Sequence, residues 1–291
     1  MITQKVAPHP FFREIWERVE KKGPKPTLLR NVVTIPFPVF NQKILQLDQP
    51  FIESMILAIY FGDVFILKEA FPKEWMISLR KEIFKKGQET ESSFHKMVES
   101  VPDFHRIIDS SIAKNYSFES HKHSHYFFPW NNNQYQLFER TYGRWRVIKL
   151  LAGLHPEEYE KNTPKDGVVD RIQIVQYPSG TGKIETHSDP YLNQRLILSG
   201  IMSKRSVDYQ SGGVYFIDKQ KKKIDIESKL DIGDLVIYFP TILHGVRTID
   251  EGKKPDWNSP EGRWWFGPFS NSTDMQENRH TGFGVSEIQC K

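Results

Sequence analysis

Three side chains able to bind a metal lie close to segments with the composition of strands. His187 and Asp189 are separated by one residue, so on an extended strand both side chains project from the same face. His244 follows the apolar run at 235–239. Two imidazoles and one carboxylate form a donor set for a divalent metal. The sequence therefore predicts a metal centre made of His187, Asp189 and His244.

The kind of donor set favours iron over zinc. Two His and one carboxylate on one face of a metal leave coordination positions open, as in non-haem Fe(II) sites, whereas zinc is more often closed by a fourth protein ligand. Each residue also has an ordinary interpretation. His187 fits a strand histidine, Asp189 fits the start of a turn with Pro190, and His244 fits a cap before Gly245. The motifs that flank these residues help to decide between a metal centre and the ordinary roles.

Further motifs flank the ligands in a fixed order. They are Tyr177-Pro178-Ser179-Gly180, His187-Ser188-Asp189, Gly212-Gly213 before a strand, Gly233-Asp234 before a strand, His244-Gly245-Val246, and Arg263 followed by Trp264, Trp265 and Phe266. In this order they resemble the prolyl-hydroxylase-like branch of the Fe(II)/2-oxoglutarate-dependent oxygenases. The resemblance covers residues 177–266. It implies an enzyme that uses Fe(II), 2-oxoglutarate and O2 to oxidise an unactivated C–H bond, releasing succinate and CO2.

The resemblance also implies that the far carboxylate of 2-oxoglutarate meets a basic residue on the last core strand. Arg263 is the first choice, because a guanidinium offers a bidentate fork to a carboxylate. It stands later in the sequence than the family pattern places its basic residue, and we interpret 250–260, which has the composition of a loop, as an insertion. Lys253, Lys254 and Arg247 are the alternatives.

Other polar residues are candidates for contacts with the cosubstrate or the substrate. Tyr177 stands where the family often has an aromatic hydroxyl near the cosubstrate, and an ordinary strand tyrosine fits the position equally well. Asn193 and Arg195 follow the H-x-D and could reach a substrate, and a surface turn explains them nearly as well. Because the site already holds a dianionic cosubstrate, a further cation inside it would serve a negatively charged substrate. We therefore expect a small polar metabolite with at least one carboxylate, held by Arg195 or a neighbour.

Three histidines alternate with other residues just before an aromatic stretch. If this segment is extended, the three rings share one face, which suits a second metal or a polar substrate. A plain surface loop is the alternative. The residues are His121, His123 and His125, followed by the aromatic stretch at 126–130.

The order of predicted elements indicates a mainly β, α+β fold. Residues 10–22, 48–60, 71–86 and 140–154 have helical character, and 62–67 forms a buried strand. Short strands separated by Gly, Pro and Asp turns follow from 170 to 270, which suits a double-stranded β-helix, or jelly roll, with helices from the N-terminal half packed on one sheet. We predict a single oxygenase domain over 1–291, with a helical cover at 1–165, the core at 166–272 and a tail at 273–291.

Composition limits the possible partners and compartment. The net charge of +4 is spread along the chain rather than concentrated, which argues against a nucleic-acid partner. Cys290, the only cysteine, excludes an internal disulfide and fits a reducing compartment. The longest apolar run is too short for a membrane span, and the first residues do not resemble a signal segment. We expect a cytoplasmic protein that acts on a small molecule, without a membrane or nucleic-acid partner; the sequence leaves its oligomeric state open.

Two other functions fit parts of the pattern. A cupin-like metal-binding protein would share the barrel and the metal, but it would not need Arg263. A peptidyl hydroxylase would act on another protein and would need an open groove beside the site. The long, aromatic-rich N-terminal half favours a roofed pocket and therefore a small substrate. Hydroxylation is the expected outcome, with desaturation and oxidative cyclisation as alternatives.

Overall fold

The computed structural model describes residues 10–132, 135–277, 279 and 282–285. Cys290, on which the redox prediction depends, lies outside these residues. Six α-helices occur in the described part of the chain: α1 Pro10–Glu20, α2 Phe37–Leu45, α3 Gln49–Tyr60, α4 Lys73–Glu89, α5 Ser110–Ala113 and α6 Leu137–Leu151.

The same residues contain thirteen strands. They are β1 Val32–Pro36, β2 Val64–Lys68, β3 Phe104–Ile108, β4 Ser120–Phe127, β5 Val168–Pro178, β6 Lys183–Ser188, β7 Ile197–Ile201, β8 Gly213–Ile217, β9 Lys223–Asp225, β10 Leu235–Tyr238, β11 His244–Arg247, β12 Gly262–Ser272 and β13 Phe283–Gly284.

The helices begin and end where local chemistry allows. At α3, the Asp48 carboxylate accepts a hydrogen bond from the Phe51 N–H at 3.1 Å, and a proline occupies the first turn. The apolar positions of α3 recur at helical spacing, so one side of the helix is buried. Those buried side chains are Ile52, Met55, Ile56 and Ile59.

The strands form two sheets joined through β4. The large sheet has the order β1-β2-β10-β7-β12-β5-β4, with β3 paired to β4, and the small sheet has the order β6-β11-β8-β9, with β13 paired to β6. The first residues of β4 pair with β6, and the rest of β4 pairs with β5. This is the predicted jelly roll.

The helices cover the outer face of the large sheet. Ile172 and Ile174 of β5 belong to the same apolar cluster as Phe12 and Trp16 of α1 and Ile56 of α3. Alternate residues of β5 therefore face the helices, while the residues between them face the inside of the roll. Among the described residues, none of the helices is both long and apolar enough to cross a membrane.

Two features bear on the sequence predictions. β12 begins at Gly262, after a segment without strand structure, as the insertion at 250–260 predicts. The N-terminal part, expected to be a helical cover, also supplies β1 to β4. β2 pairs with β10, and β4 links the two sheets, so this part of the chain completes the roll.

Candidate metal centre and its cavity

The three predicted metal ligands converge inside the roll. His187, near the end of β6, is the register partner of His244 at the start of β11. Asp189 follows β6, and its backbone N–H donates to the Pro240 carbonyl at 2.9 Å. One ligand atom from each of the three side chains lies within 4.8 Å of the others. Antiparallel pairing of the two strands thus brings together residues that are distant in sequence.

The orientation of both imidazoles is fixed by backbone carbonyls. His187 Nδ1 lies 2.8 Å from the Glu185 carbonyl, and His244 Nδ1 lies 2.9 Å from the Ile242 carbonyl. A carbonyl can only accept, so each Nδ1 carries a proton and each Nε2 is the nitrogen left to bind a metal. The Nε2 atoms of His187 and His244 lie 3.9 Å and 3.5 Å from Asp189 oxygens. Two imidazoles and a carboxylate with open positions fit Fe(II).

Aromatic rings enclose the ligands. Phe118 stacks on His187 at 4.5 Å between ring centroids, and Phe216 stacks on His244 at 5.7 Å. Burial lowers the pKa of His187 well below its usual value, with His244 adding to the effect, and burial raises the pKa of Asp189. The pocket therefore keeps the His187 imidazole in the neutral form that binds a metal. A bound cation would stabilise the buried carboxylate.

Tyr238 is a further polar group at this centre. Its hydroxyl lies 3.0 Å from His244 Nε2, the atom that would bind a metal. In the tautomer with the proton on Nδ1, the hydroxyl donates to this Nε2. Burial raises the pKa of Tyr238 well above its usual value, and Asp189 raises it further, so the phenol stays protonated. A metal that takes Nε2 would release this hydroxyl for another acceptor in the cavity.

The ligands line a cavity between the two sheets with a volume of about 950 Å³, including the part open to solvent. Its long wall comes from alternate residues of β5 and β12, as expected when every second side chain faces inward. Besides the ligands, the polar residues that line the whole cavity are Lys122, Arg171, Gln173, Tyr177, Gln194, Ser199, Tyr238, Arg263 and Asn271, and Phe118, Phe216, Trp265 and Phe269 add apolar rings.

Arg263 lies at one end of this cavity and is held by a buried carboxylate. Its Nε lies 3.0 Å and 2.9 Å from the two carboxylate oxygens of Glu227. Glu227 also accepts from the Tyr209 hydroxyl at 2.5 Å and from the Val214 N–H at 2.7 Å. Both contacts between Arg263 and Glu227 use Nε, which leaves the terminal nitrogens of the guanidinium for another anion.

A glycine lets Glu227 reach this position. Gly213 has φ +116°, and a Cβ on it would lie 2.6 Å from Glu227 Cγ. A larger residue would push Glu227 away from Arg263, so the second glycine of the predicted Gly212-Gly213 motif has a packing role.

Tyr177 lies beside Arg263, as its register partner on β5. Burial raises the pKa of Tyr177 to about 12, so its hydroxyl is protonated and can donate. The alternatives to Arg263 lie elsewhere. Lys253 pairs with Asp250 at 3.0 Å, Arg247 donates to the Lys223 carbonyl at 3.0 Å, and neither they nor Lys254 line the cavity.

Lys122 and Arg171 are two cavity cations that sequence reasoning missed. No hydrogen bond or ion pair joins Lys122 Nζ to another described residue. Burial lowers its pKa to about 8, an effect that Asp189 partly opposes. Arg171 Nη2 donates to the Gln173 side chain at 3.3 Å, while its buried Nε has no partner among the described residues. Burial lowers the pKa of Arg171 to about 10.

The two predicted substrate residues after the H-x-D do not reach the cavity. Arg195 Nε lies 2.8 Å from Glu20 of α1, and its Nη1 donates to the Ala152 carbonyl at 3.0 Å. Asn193 donates to the Ser272 hydroxyl at 2.9 Å. The expectation that Arg195 holds the substrate does not fit this arrangement, because Glu20 already neutralises it and ties it to α1. Gln194, between them, does line the cavity.

The three alternating histidines share one face, as predicted, but that face points away from the cavity. His123 and His125 stack on His105 of β3 with ring centroids at 5.2 Å and 4.3 Å. His121 lies beside Thr181 and Glu119 at 3.0 Å and 2.9 Å. The substrate role expected for these rings therefore does not fit their placement, and Lys122, on the opposite face of β4, lines the cavity instead.

The sequence signal for the missed residues, Lys122 and Arg171, was the alternation of inward and outward side chains along each strand. In β4, the residues between the histidines pair with the inward residues of β5: Ser124 lies opposite Val175 and Tyr126 lies opposite Gln173. Gln173 Nε2 donates to the Ser124 hydroxyl at 3.2 Å, which confirms the shared face. Glu227 carried no motif, and only its contact with Arg263 identifies it.

Comparisons with known proteins add to this description. No family model matches the sequence, and no curated protein does. Among solved structures, the full-length Neurospora crassa protein in complex with alpha-KG is 12% identical, with a TM-score of 0.50 over 84% of this chain and 86% of that chain.

Two further structures are similar at lower scores. A Pseudomonas putida prolyl-4-hydroxylase is 10% identical, with a TM-score of 0.45 over 76% of this chain and 98% of that chain. A Burkholderia pseudomallei oxidoreductase of the 2OG-Fe(II) oxygenase family is 10% identical, with a TM-score of 0.43 over 87% of this chain and 98% of that chain. The Neurospora match shows a shared fold, in agreement with the jelly roll described above.

Proposed function

We propose that the protein is an Fe(II)/2-oxoglutarate-dependent dioxygenase that oxidises an unactivated C–H bond of a small polar substrate. The observation that carries the proposal is the convergence of His187, Asp189 and His244 inside a jelly roll whose cavity ends at a buried arginine. A two-His, one-carboxylate donor set with open positions is the arrangement used for oxygen chemistry at non-haem iron. The order of sequence motifs agrees with this function.

The residues that would hold each group follow from the site. His187, Asp189 and His244 would bind Fe(II), and Arg263, with Tyr177 beside it, would bind the far carboxylate of 2-oxoglutarate. When bound, iron and 2-oxoglutarate supply the activation of O2 with release of succinate and CO2. A cupin-like protein without an oxygenase reaction would have no need for the guanidinium that Glu227 orients in this cavity.

The chain itself contributes orientation and exclusion of water. The Glu185 and Ile242 carbonyls fix the imidazoles, and Phe118 and Phe216 cover their faces. Glu227 fixes the plane of Arg263 before any anion arrives. Such preorganisation places reacting groups without rearrangement during the reaction.

A small substrate is supported by the shape of the site. The cavity lies between the two sheets and is lined by side chains from both, which is the kind of concave site that holds a small molecule. Hydroxylation is the simplest outcome, while desaturation or ring closure would follow from the same start. We further propose that the substrate carries a carboxylate, because the cavity contains cations beyond Arg263. The whole of 1–291 then acts as one oxygenase domain, since β2 and β4 belong to its sheets.

Anaerobic binding followed by turnover tests the proposed function. The metal-free protein is mixed with Fe(II) and then with 2-oxoglutarate, and a visible charge-transfer band that needs both is the expected result. On admission of O2, succinate should form, and more should form with a metabolite mixture that contains the substrate. A protein that binds Fe(II) but neither binds nor consumes 2-oxoglutarate would contradict the proposal and favour a cupin-like function.

A further inference from the structure

The cavity holds two cations besides Arg263, Lys122 and Arg171, and Arg171 lies far from Arg263. Arg171 and Tyr177 both face the cavity from β5, six residues apart, which corresponds to about 20 Å along an extended strand. Arg263 pairs with Tyr177, whereas Arg171 pairs with Phe269 of β12. Lys122 comes level with Tyr177 in the register of β4 with β5, and both Asp189 and Arg171 influence the pKa of its ammonium.

These cations have no carboxylate partner among the described residues. Within the part of the chain that the structure describes, Lys122 forms no ion pair, and the Arg171 guanidinium contacts the neutral side chain of Gln173 and the rings of Tyr126 and Phe269. Asp274, whose charge acts on Arg171, is paired with Arg279 at 2.7 Å. Charges withdrawn from water without a partner are unfavourable, and such groups are typical of sites that a ligand completes.

A polar atom near Arg171 also lacks a partner. Asn271, on β12, lines the cavity, and its buried Oδ1 makes no hydrogen bond to a described residue. Gln173 is held in place, because its Nε2 donates to the hydroxyls of Ser124 and Tyr126 at 3.2 Å and 3.4 Å. The site thus offers two cations and, close to Arg171 in the fold, one unused hydrogen-bond acceptor.

We propose that Lys122 and Arg171 bind the carboxylate of the substrate, and that Asn271 accepts a hydrogen bond from an N–H or O–H group next to it. The substrate class is then a carboxylic acid with an adjacent amino, amide or hydroxyl group. A monoanion suits the site better than a phosphate, because Asp189 lies near enough to offset part of the positive charge. This inference rests on the proposed function, in which Arg263 is reserved for 2-oxoglutarate.

The test uses simple probes with full-length protein. Hexanoate, hexanamide and hexyl phosphate are titrated calorimetrically into protein loaded with Mn(II), with and without 2-oxoglutarate, in the absence of O2. We expect hexanoate to bind about tenfold or more tightly than hexanamide, because a charge-assisted contact in a cavity is worth more than a neutral one. Lys122→Met and Arg171→Met should each remove most of this preference. Lys183→Met and Arg247→Met, whose residues pair with Glu119 and Asp225 outside the cavity, should keep it.

The affinity for 2-oxoglutarate, measured in the same variants, separates the two proposals. Equal binding of hexanoate and hexanamide by the parent protein would overturn the carboxylate site, as would binding of hexyl phosphate in clear preference to hexanoate. A loss of 2-oxoglutarate affinity in Lys122→Met and Arg171→Met, with the hexanoate preference intact, would also overturn it and would assign these cations to the cosubstrate. If the parent protein fails to bind 2-oxoglutarate but prefers hexanoate through Lys122 and Arg171, the proposed function fails and the anion site stands.

Discussion

The cavity holds its positive charges in two opposite ways. At one end Arg263 is buried against Glu227, and although burial alone would lower the pKa of the guanidinium, the carboxylate raises it. Elsewhere in the cavity, Lys122 and Arg171 have no such carboxylate among the described residues, and burial lowers the pKa of both. A paired charge is fixed before a ligand binds, whereas an unpaired charge depends on the ligand for its partner.

This difference matches two kinds of ligand. A cosubstrate that is the same in every turnover benefits from a guanidinium whose plane is already set, because less side-chain entropy is lost on binding. A substrate with its own carboxylate can supply the countercharge that Lys122 and Arg171 lack. Its binding would remove an unfavourable buried charge at the same moment. The predictions below separate the paired arginine from the two unpaired cations, beginning with the metal centre on which both depend.

The largest effect is expected at the metal ligands. His187→Ala, Asp189→Ala and His244→Ala should each abolish Fe(II)-dependent succinate formation, because each removes one of three protein ligands. The measurement is succinate release at saturating 2-oxoglutarate, with the fold checked by circular dichroism. His121→Gln, on the outward face of β4, is the control and should keep its activity. Near-parent activity in any of the three variants would remove that residue from the metal centre.

The next effect separates the arginine end. Arg263→Leu should raise the 2-oxoglutarate concentration needed for half-maximal turnover by roughly 30- to 1000-fold, because it removes a charge-assisted contact shielded from water, worth about 2–4 kcal/mol. Lys253→Leu, in the loop before β12, should leave this requirement unchanged.

Arg263→Leu also leaves Glu227 buried without its partner, so folding has to be controlled. Arg263→Lys keeps the charge without the fork and should fall between the parent and Arg263→Leu. An unchanged requirement for 2-oxoglutarate in a folded Arg263→Leu variant would show that the cosubstrate uses another cation.

A third prediction concerns stability at the paired end. Glu227→Gln should lower the free energy of unfolding by about 3 kcal/mol, because it leaves a guanidinium in the interior without a countercharge. The measurement is urea denaturation of the metal-free protein. Asp225→Asn, which breaks the more accessible pair with Arg205, should cost less than about 1 kcal/mol. Restoration of stability in the double variant Glu227→Gln/Arg263→Leu would confirm that the uncompensated charge is the cause.

The sequence predicts the metal ligands and the start of β12 better than the inward face of β4, for a physical reason. His187, Asp189 and the start of β12 at Gly262 follow from local spacing and composition, which survive any change in strand pairing. The inward face of β4 depends instead on its register with β5, and a shift of one residue exchanges its histidines for Lys122. No local pattern encodes that register.

The same limit applies to the partners of the charged residues. Arg195 is bound by Glu20, which precedes it by 175 residues, and Glu227 precedes Arg263 by 36. An arginine near an H-x-D motif looks equally suitable for a substrate or for a structural ion pair until the fold brings its partner into place. Residue type therefore predicted which groups could bind an anion. The tertiary structure determined which of those groups lack an anionic partner within the described part of the protein.

The smallest effect is the most direct test of the claim that Lys122 has no partner in the protein. Lys122→Met should raise the free energy of unfolding of the metal-free protein at pH 7 by about 1–2 kcal/mol, because it removes a partly buried ammonium without a partner. The folded-state pKa of about 8 lies below the ordinary 10.5, so between these values the unfolded chain binds more protons. Stability of the parent protein should consequently rise from pH 8 toward pH 10 by a contribution that Lys122→Met lacks. Lys183→Met, which loses an accessible pair with Glu119, should show no such gain. A loss of stability in Lys122→Met with an unchanged pH dependence would mean that the ammonium already has an anionic partner in the protein. The contrast between Lys122 and the paired Arg263 would then disappear.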